Sequence, residues 1–552
     1  MSIGALRRNT VARVQAKRWL SSAIPPARLR VHRVDRGLVL IRPAGLEDTG
    51  RLQPGAVFRV PGSSPQSSSS VVVMFKMKDA MFGAQLGSGQ SFKSGDVLEQ
   101  QNEEKLMMDN EGEISTSEVA TKRVFDDPPR DMARRPITKS WFLGIPVMDL
   151  MTPIGIGQSM IFFEALNGPL FSEILQRMPS DRRFMPESIV PDSIFNQNQD
   201  RDLAYMLGSY YALTRAELER DRGQGRATLV VIKDVSPFRR VWERAQRMLS
   251  EESGMDGKGK IDGGAPTTLS SFLQRIDRSD LRHYYSSFIQ RAARLKDSEG
   301  SVTMLLRSPH VEKPAMQTST AGEQVFNLEE FEREVKAGVR ALEDFERLVR
   351  LQVKLGTKLK LTAATLNKLQ IPLPASAFSQ ATAIDFVEES TKAKLHGEEL
   401  MSIVDGHVVS PEGFSDFLLD PRASLTRIGA GSGQNEVRDT RPELVRAVAG
   451  GLRIEIADLY ESVHANPAKA KQKLEGWKQS LNCFQDNHGE NGRGWKQQAA
   501  IVWATRKGWY TGSPHHGDAK VEYDLKEVDK LELNAEDEPQ TEQFKRCIKS
   551  SK

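Results

Sequence analysis

The sequence predicts a multidomain α/β protein with an N-terminal β-barrel, a central α/β domain that carries a helical insertion, and a helical C-terminal domain. Three observations predict this architecture. The 552 residues exceed what one hydrophobic core usually holds. Short β-branched runs come first, and strand and helix patterns then alternate. Helical spacing dominates the last part of the chain.

Composition excludes several classes of protein. Hydrophobic residues make up 39% and charged residues 27% of the chain, which is ordinary for a globular protein. The net charge of +4 is spread along the chain without a basic block and interleaved aromatics, so nucleic acid is not expected as the main partner. No apolar run approaches the ~20 residues of a membrane-spanning helix. Two cysteines, Cys483 and Cys547, exclude a disulfide framework and fit a reducing compartment.

The first 34 residues contain no Asp or Glu, while Arg and Lys are interspersed with Ala, Val and Leu. This composition is typical of a mitochondrial or plastid transit peptide, and a merely basic tail is the alternative. Because Pro25 and Pro26 end any helix, we expect a mitochondrial transit peptide over residues 1–26.

Residues 37–60 and 71–98 contain short β-type runs separated by Gly, Pro and a Ser-rich tract. They predict a β-barrel domain over residues 31–98. Residues 99–135 are polar and rich in turn residues, so we interpret them as a connection.

Residues 136–430 alternate strand and helix signals. Strands are predicted at 160–163, 227–232 and 301–306, and helices at 202–221 and 279–296. This alternation favours a parallel sheet. The glycines at 155 and 157 come before a strand, so they predict a turn, and residues 254–264 predict a flexible loop.

A helical insertion is predicted at about 310–400. Within it, residues 321–355 have an apolar stripe at helical spacing, and Asn327 and Glu330 form a capping box. Packing against its own domain is the preferred interpretation, with partner docking as the alternative. Helices at 442–463, 467–482 and 494–507 predict a helical domain over 431–512, followed by a charged tail at 513–552.

Four segments in the same order carry a resemblance to a known family. They are LGIPVMDLMTPIGIGQ (143–158), SLTRIGAGSGQ (424–434), VRAVAGGLRIEIADLYE (445–461) and QQAAIVWATRKGWY (497–510). The chain resembles the alpha subunit of the mitochondrial F-type ATP synthase. The resemblance implies that the central domain is RecA-like and of the nucleotide-binding type.

The stretch EALNGPLF stands where the family has its phosphate-binding loop. Such a loop needs glycines that expose N–H groups, a Lys for phosphate and a Ser or Thr hydroxyl for Mg²⁺. A degenerate loop is predicted instead, because two of the glycine positions, the lysine position and the hydroxyl position all hold other residues. The loop residues singled out are Glu164, Gly168, Pro169, Leu170 and Phe171.

The metal-binding half of the site also departs from the family. The resemblance places an Asp after strand ATLVVI where Lys233 stands, with Asp234 one position later. An ammonium group cannot bind Mg²⁺. We therefore expect no bound metal, no tightly bound nucleotide and no ATP turnover by this chain.

The resemblance implies one retained catalytic role. The arginine of the SxxRxG segment in this family contacts the γ-phosphate held by the neighbouring beta subunit, and Arg427 matches it. Ser402, in MSIVDG, matches a serine on the same interfacial side. A structurally paired arginine is the alternative for Arg427.

The resemblance further implies partners and a location. The partners are the ATP synthase beta subunit in an alternating ring, the central rotor stalk and the peripheral stalk, with ATP or ADP in the beta-subunit site. The location is the matrix side of the inner mitochondrial membrane, with only indirect membrane contact. Two alternatives stay open, namely a repurposed paralogue outside the ring and an independent NTPase. The adjacent His515 and His516 receive no role.

Overall fold

The computed structural model describes a defined part of the chain. Described are residues 27–44, 53–61, 69–78, 80–87, 92–100, 105–108, 114–115, 122–164, 168–189, 200–222, 225–255, 278–296, 299–309, 383–410, 419–420, 423–426, 428, 452–462, 467–481, 498, 502 and 505. The predicted transit peptide, the helix at 321–355, Arg427, the two histidines and the charged tail lie outside these residues. The chain divides into two compact units. The first comprises Met1–Met248, Ser286–Ser308 and Val404–Lys552, and the second comprises Leu249–Tyr285 and Pro309–Ile403.

The first unit begins with a closed antiparallel barrel, which confirms the prediction of a barrel. Its strands are β1 (Arg28–Asp35), β2 (Leu38–Pro43), β3 (Val57–Arg59), β4 (Ser70–Met77), β5 (Ala80–Leu86) and β6 (Val97–Glu99). They are ordered β1-β2-β5-β4-β3-β6, and β1 closes the barrel by pairing with both β2 and β6.

Strand β1 begins at Arg28, before the predicted start of the barrel at residue 31, and includes part of the basic N-terminal segment. Leu29 and Val31 are fully buried while Arg28 and Arg30 are exposed, which is the period-two alternation of a half-buried strand. The core that these two residues join includes Val39, Ile41 and Phe58. The alternation of Arg with Leu and Val therefore encodes a strand here.

The predicted connection contains a small sheet. Strands β7 (Met107–Met108), β8 (Ile114–Ser115) and β9 (Lys122–Arg123) pair antiparallel in the order β8-β7-β9. A single 3₁₀ turn follows at Asp131–Ala133.

The central sheet has seven strands. They are β10 (Ser159–Glu164), β11 (Arg183–Phe184), β12 (Ala227–Ile232), β13 (Ala293–Arg294), β14 (Ser301–Pro309), β15 (Gly406–Val409) and β16 (Leu425–Thr426). The order is β11-β12-β14-β10-β15-β16, with β13 on β14. Three pairs, β10 with β15, β11 with β12, and β12 with β14, are parallel. Strand β13 pairs antiparallel with β14, and β16 pairs antiparallel with β15. The predicted strands are confirmed within a mixed sheet.

Eight α-helices are described. They are α1 (Pro169–Arg177), α2 (Pro186–Ile189), α3 (Arg201–Asp221), α4 (Ser236–Met255), α5 (Arg278–Ile289), α6 (Ala383–Ile403), α7 (Leu452–Ser462) and α8 (Pro467–Leu481). A π-helical turn covers Val147–Met151. The helices predicted at 202–221 and 467–482 are confirmed, and α7 lies within the one predicted at 442–463. Of the third predicted C-terminal helix, the described positions 498, 502 and 505 are helical.

Two sequence-based boundaries are wrong. The helix predicted at 279–296 ends at Ile289, because the chain then forms β13 beside β14 and buries Arg291. Helix α4 extends to Met255, so Gly254 and Met255 of the loop predicted at 254–264 are helical, and the rest of that loop lies outside the described residues.

One hydrophobic core joins the sheet to the C-terminal helices. Phe162 of β10, Phe171 of α1, Leu452 of α7 and Trp477 of α8 belong to the same buried cluster. The cluster brings together segments that are far apart in the sequence.

In the second unit, α6 carries a buried polar contact. The hydroxyl of Tyr285 lies 2.7 Å from His396 Nδ1, and the two rings meet edge to face. Tyr285 belongs to α5, so this contact joins α5 to α6 within the second unit.

Candidate functional site

The site lies where strand β10 ends and helix α1 begins. Strand β10 has β14 on one side and β15 on the other, and it ends at Glu164. Helix α1 starts at Pro169 after the N-cap residue Gly168. The first N–H groups of a helix have no partner within the helix and carry partial positive charge, so this strand-to-helix turn favours an anion.

The anion at this position is the Glu164 side chain. Its Oε1 accepts a hydrogen bond from the Leu170 N–H at 2.9 Å, and its Oε2 accepts one from the Phe171 N–H at 3.0 Å. Pro169 has no N–H, so these are the first backbone donors of the helix. Glu164 is only 3% exposed. A buried carboxylate thus takes the hydrogen bonds that a phosphate-binding loop would offer to phosphate.

Gly168 permits this close approach. A Cβ atom at position 168 would clash with Glu164 Cγ, Cδ and Oε1. The glycine that precedes the helix is therefore required by the Glu164 side chain.

The side chains of Leu170 and Phe171 belong to the hydrophobic core. Leu170 is fully buried, and the Phe171 ring lies 5.3 Å from the Phe162 ring in an edge-to-face contact. The Arg307 guanidinium lies over the Phe171 ring at 5.3 Å from its centroid. Leu170 and Phe171 thus place apolar side chains at the two positions for which the resemblance implies an ammonium group and a hydroxyl.

Lys233 and Asp234 follow strand β12. The Lys233 carbonyl accepts a hydrogen bond from Arg307 Nε at 2.8 Å. The Asp234 Oδ1 accepts one from the Ser236 N–H at 2.8 Å, so this carboxylate caps the start of α4. Within the described residues, no group of three or more His, Cys, Asp or Glu side chains is arranged to hold a metal ion.

Arg307 was not found by sequence reasoning. It follows the buried part of β14 and contacts both the Phe171 ring and the Lys233 carbonyl. Only the sheet order, which places β14 between β10 and β12, brings it to this site.

The segment around Arg427 is attached to the outer strand of the sheet. Strand β16 pairs with β15, the Val409 N–H donates to Ser424 Oγ at 3.0 Å, and the Thr426 hydroxyl donates to the Pro153 carbonyl at 2.9 Å. Ile428 is buried. Arg427 itself lies outside the described residues, so its predicted role is neither supported nor contradicted by its position.

Comparisons with known proteins agree with part of the resemblance. The chain is similar to the ATP synthase subunit alpha of Limosilactobacillus reuteri (strain DSM 20016), with 26% identity over 217 residues. The match covers 36% of this chain and 39% of the bacterial protein. The same values hold for ATP synthase subunit alpha of Limosilactobacillus reuteri subsp. reuteri (strain JCM 1112). No protein-family model matches the chain.

The turn that precedes β10 is confirmed. Gly155 forms an isolated bridge with Ser140, and Gly157 has a φ of +90°. A Cβ atom at position 157 would lie 2.9 Å from the Arg294 N atom, so the turn requires glycine for both its backbone angle and its space.

Asp149 lies in segment 143–158, one of the four segments that carry the resemblance, and sequence reasoning gave it no role. It is fully buried and accepts hydrogen bonds from the Leu143 N–H at 3.0 Å and from Gln498 Nε2 at 2.9 Å. Burial raises the pKa of Asp149 to about 6, although these hydrogen bonds act to lower it.

Ser402 lies near the end of α6 in the second unit and is exposed. Its hydroxyl donates to the Glu399 carbonyl at 2.7 Å and lies 3.3 Å from Glu399 Oε1. These contacts are local to the helix, and the predicted interfacial role of Ser402 stays a prediction.

A cleft of about 700 Å³ lies elsewhere in the first unit, beside β7, β9 and the end of α3. Lys122 and Asp221 line it and form an ion pair at 2.6 Å. Neither Glu164 nor Phe171 lines this cleft. Among the described residues, no helix combines the length and apolar character needed to cross a membrane.

Proposed function

We propose that this chain is an alpha-like subunit of an ATP synthase head that has lost its own Mg-ATP site. The similarity to bacterial ATP synthase subunit alpha supports the alpha-like role. The barrel followed by an α/β sheet is compatible with it. The proposed loss of nucleotide binding is supported by one observation. The Glu164 carboxylate accepts hydrogen bonds from the Leu170 and Phe171 N–H groups.

The chemistry at the start of helix α1 disfavours phosphate for three reasons. A phosphate would lie against the negative charge of Glu164, and no lysine follows to neutralise it. The hydroxyl that would bind Mg²⁺ is replaced by the buried Phe171 ring. The carboxylate nearest to the expected metal position, Asp234, caps a helix.

Arg427 is proposed to act at a neighbouring site. The proposal is that it contacts ATP or ADP held by an adjacent beta-type subunit and stabilises the charge that develops in the transition state. Its support is the SLTRIG segment and the anchoring of Ser424 and Thr426 to the sheet. Ser402 is proposed for the same interface.

The assembly and location follow from the same proposal. The beta subunit would be the direct partner, the central rotor stalk and the peripheral stalk would be further partners, and the complex would lie on the matrix side of the inner mitochondrial membrane. The acid-free N-terminus supports the mitochondrial location.

The test is equilibrium binding of Mg-ATP to the purified full chain by isothermal titration calorimetry, with an ATP synthase beta subunit as the positive control. The proposal predicts no saturable binding up to about 1 mM Mg-ATP, the weak end of ordinary affinities. Saturable one-to-one binding by the wild-type chain would contradict the loss of its site.

A further inference from the structure

We infer that Glu164 is a resident anion that takes the place of phosphate and stabilises the first turn of helix α1 without any ligand. The inference rests on the proposed loss of the Mg-ATP site and assigns a role to the residue that occupies the start of the helix. The first turn of α1 therefore needs no nucleotide for its stability.

The Glu164 carboxylate binds the start of helix α1 through both of its oxygens. Each oxygen of the Glu164 carboxylate accepts from a different backbone N–H, at 2.9 Å from Leu170 and 3.0 Å from Phe171. A phosphate that binds at the start of a helix uses two of its oxygens in the same way. The carboxylate therefore satisfies donors that would otherwise be buried without a partner.

The carboxylate and the two N–H groups that it accepts from are buried. Glu164 is 3% exposed, and Leu170 and Phe171 are almost completely buried, so water has little access to these N–H groups. A buried donor without a partner is costly, and the positive end of the helix stabilises a negative group. Removal of the carboxylate should therefore destabilise the turn unless another anion enters.

Gly168 fits closely against the Glu164 side chain. A Cβ atom at position 168 would overlap Glu164 Cγ, Cδ and Oε1 and would displace the hydrogen-bonded carboxylate. Gly168 thus accommodates the carboxylate at the start of the helix. A simple loss of function would need only the substitutions at Leu170 and Phe171, and would not require a fitted anion.

The account predicts that an anion added in solution replaces the missing carboxylate. Truncation by Glu164→Ala leaves space for a small anion and removes the acceptor, whereas Glu164→Gln keeps the space filled. Glu173→Ala is the matched control, because Glu173 lies in the same helix and pairs with Arg177 at 2.7 Å.

The experiment measures the melting temperature of the full chain in sodium phosphate, sodium acetate and sodium chloride at equal ionic strength. We expect Glu164→Ala to melt roughly 2–6 °C below wild type in chloride. Phosphate or acetate should recover at least half of that loss. Wild type, Glu164→Gln and Glu173→Ala should respond to the three salts alike. The inference is overturned if Glu164→Ala gains no more from phosphate or acetate than Glu173→Ala does.

A second measurement applies if Glu164→Ala does not fold. Hydrogen exchange at the Leu170 and Phe171 amides in Glu164→Gln should become faster relative to Ile174, which lies deeper in the same helix. Unchanged exchange would overturn the inference. Neither result depends on Mg-ATP, so failure of the inference is distinguishable from failure of the proposed function, which Mg-ATP binding by wild type would show.

Discussion

Phe171 is a core residue at the start of helix α1. Its ring packs on Phe162 and lies beneath the Arg307 guanidinium, and it is 1% exposed. The position matches a hydroxyl in the family that the sequence resembles.

Replacement of this ring should cost stability without restoring function. Phe171→Thr is expected to lower the free energy of unfolding by about 3 kcal/mol, because the ring leaves a cavity and the hydroxyl is buried. The measurement is urea unfolding, with Phe142→Thr as the control, since Phe142 is 40% exposed. A loss for Phe171→Thr no larger than for Phe142→Thr would refute the core role. The variant should also bind no Mg-ATP, because Glu164 still occupies the helix start.

Asp149 gives a prediction about pH. Its pKa in the folded chain is raised from 3.8 to about 6, so protonation favours the folded state. The stability contribution of the neutral acid is full below pH 3.8 and is lost as the pH rises through about 6. Between pH 5 and pH 8 the expected loss is roughly 1 kcal/mol.

Asp149→Asn should remove this part of the pH dependence, since its amide does not titrate. The check is urea unfolding at pH 5 and pH 8 for wild type, Asp149→Asn and the exposed control Asp458→Asn. If Asp149→Asn and wild type lose the same free energy between the two pH values, the role of Asp149 is wrong.

The degenerate loop was predicted from one short stretch and from the resemblance, and it stays a prediction. The sequence did not reveal that Glu164 fills the turn, since that depends on a side-chain conformation and on Gly168. Nor could it reveal the contact of Asp149 with Gln498, which are 349 residues apart.

At the scale of elements, strand β1 determines whether the barrel closes. It pairs with β2 on one side and β6 on the other, and it buries Leu29 and Val31. In the sequence, most of β1 falls within the acid-free basic segment that is typical of a transit peptide. Alternating Arg, Leu and Val residues are compatible with both a transit peptide and a half-buried strand.

Two truncations test the strand. Removal of residues 1–26 should leave the barrel intact, whereas removal of residues 1–35 should open it and expose unpaired edges of β2 and β6. Thermal unfolding followed by circular dichroism, together with limited proteolysis within residues 36–100, would show the difference. Equal protease resistance of the two truncated chains would contradict the assigned role of β1.

The end of the predicted helix at 279–296 has a comparable cause. The fully buried Arg291 donates two hydrogen bonds to Glu217, at 3.0 and 2.7 Å, and one to the Val124 carbonyl at 2.6 Å. Burial is the largest single influence and acts to raise the pKa of Glu217, but the charge and hydrogen bonds of Arg291 together with the charges of Lys122 and Arg220 lower this pKa overall. A local helix pattern cannot anticipate such a partner in α3.

Loss of this arginine should be costly. Arg291→Ala leaves Glu217 buried without its main partner and is expected to lower the free energy of unfolding by about 3–5 kcal/mol. Denaturant unfolding would measure it, with the exposed Arg30→Ala as the control. If both variants unfold at the same denaturant concentration, the Arg291–Glu217 ion pair does not stabilise the fold.

At the scale of the whole molecule, the barrel and the alternation of strands and helices were predictable because their hydrophobic periods differ. The common core of β10, α1, α7 and α8 was not, because its members come from distant segments. The match to bacterial ATP synthase subunit alpha covers 39% of that protein, so a role of this chain in the complete assembly is a proposal.

Arg427 is testable only in that assembly. Arg427→Ala is expected to lower ATP hydrolysis of the isolated complex by roughly 10³-fold, because charge in the neighbouring transition state loses its stabilising group. The measurement is steady-state hydrolysis, with Arg30→Ala, a barrel-surface change, as the control. Unchanged hydrolysis with normal assembly would contradict the proposed arginine finger.

The central claim, an alpha-like role in the head, is tested most directly by native affinity purification of the tagged chain with quantitative mass spectrometry of the copurified beta subunit. The account predicts equal amounts of the two chains and no other alpha-type chain in the complex. A beta subunit that is absent or far below one copy per chain would contradict the account and favour a repurposed paralogue outside the catalytic ring.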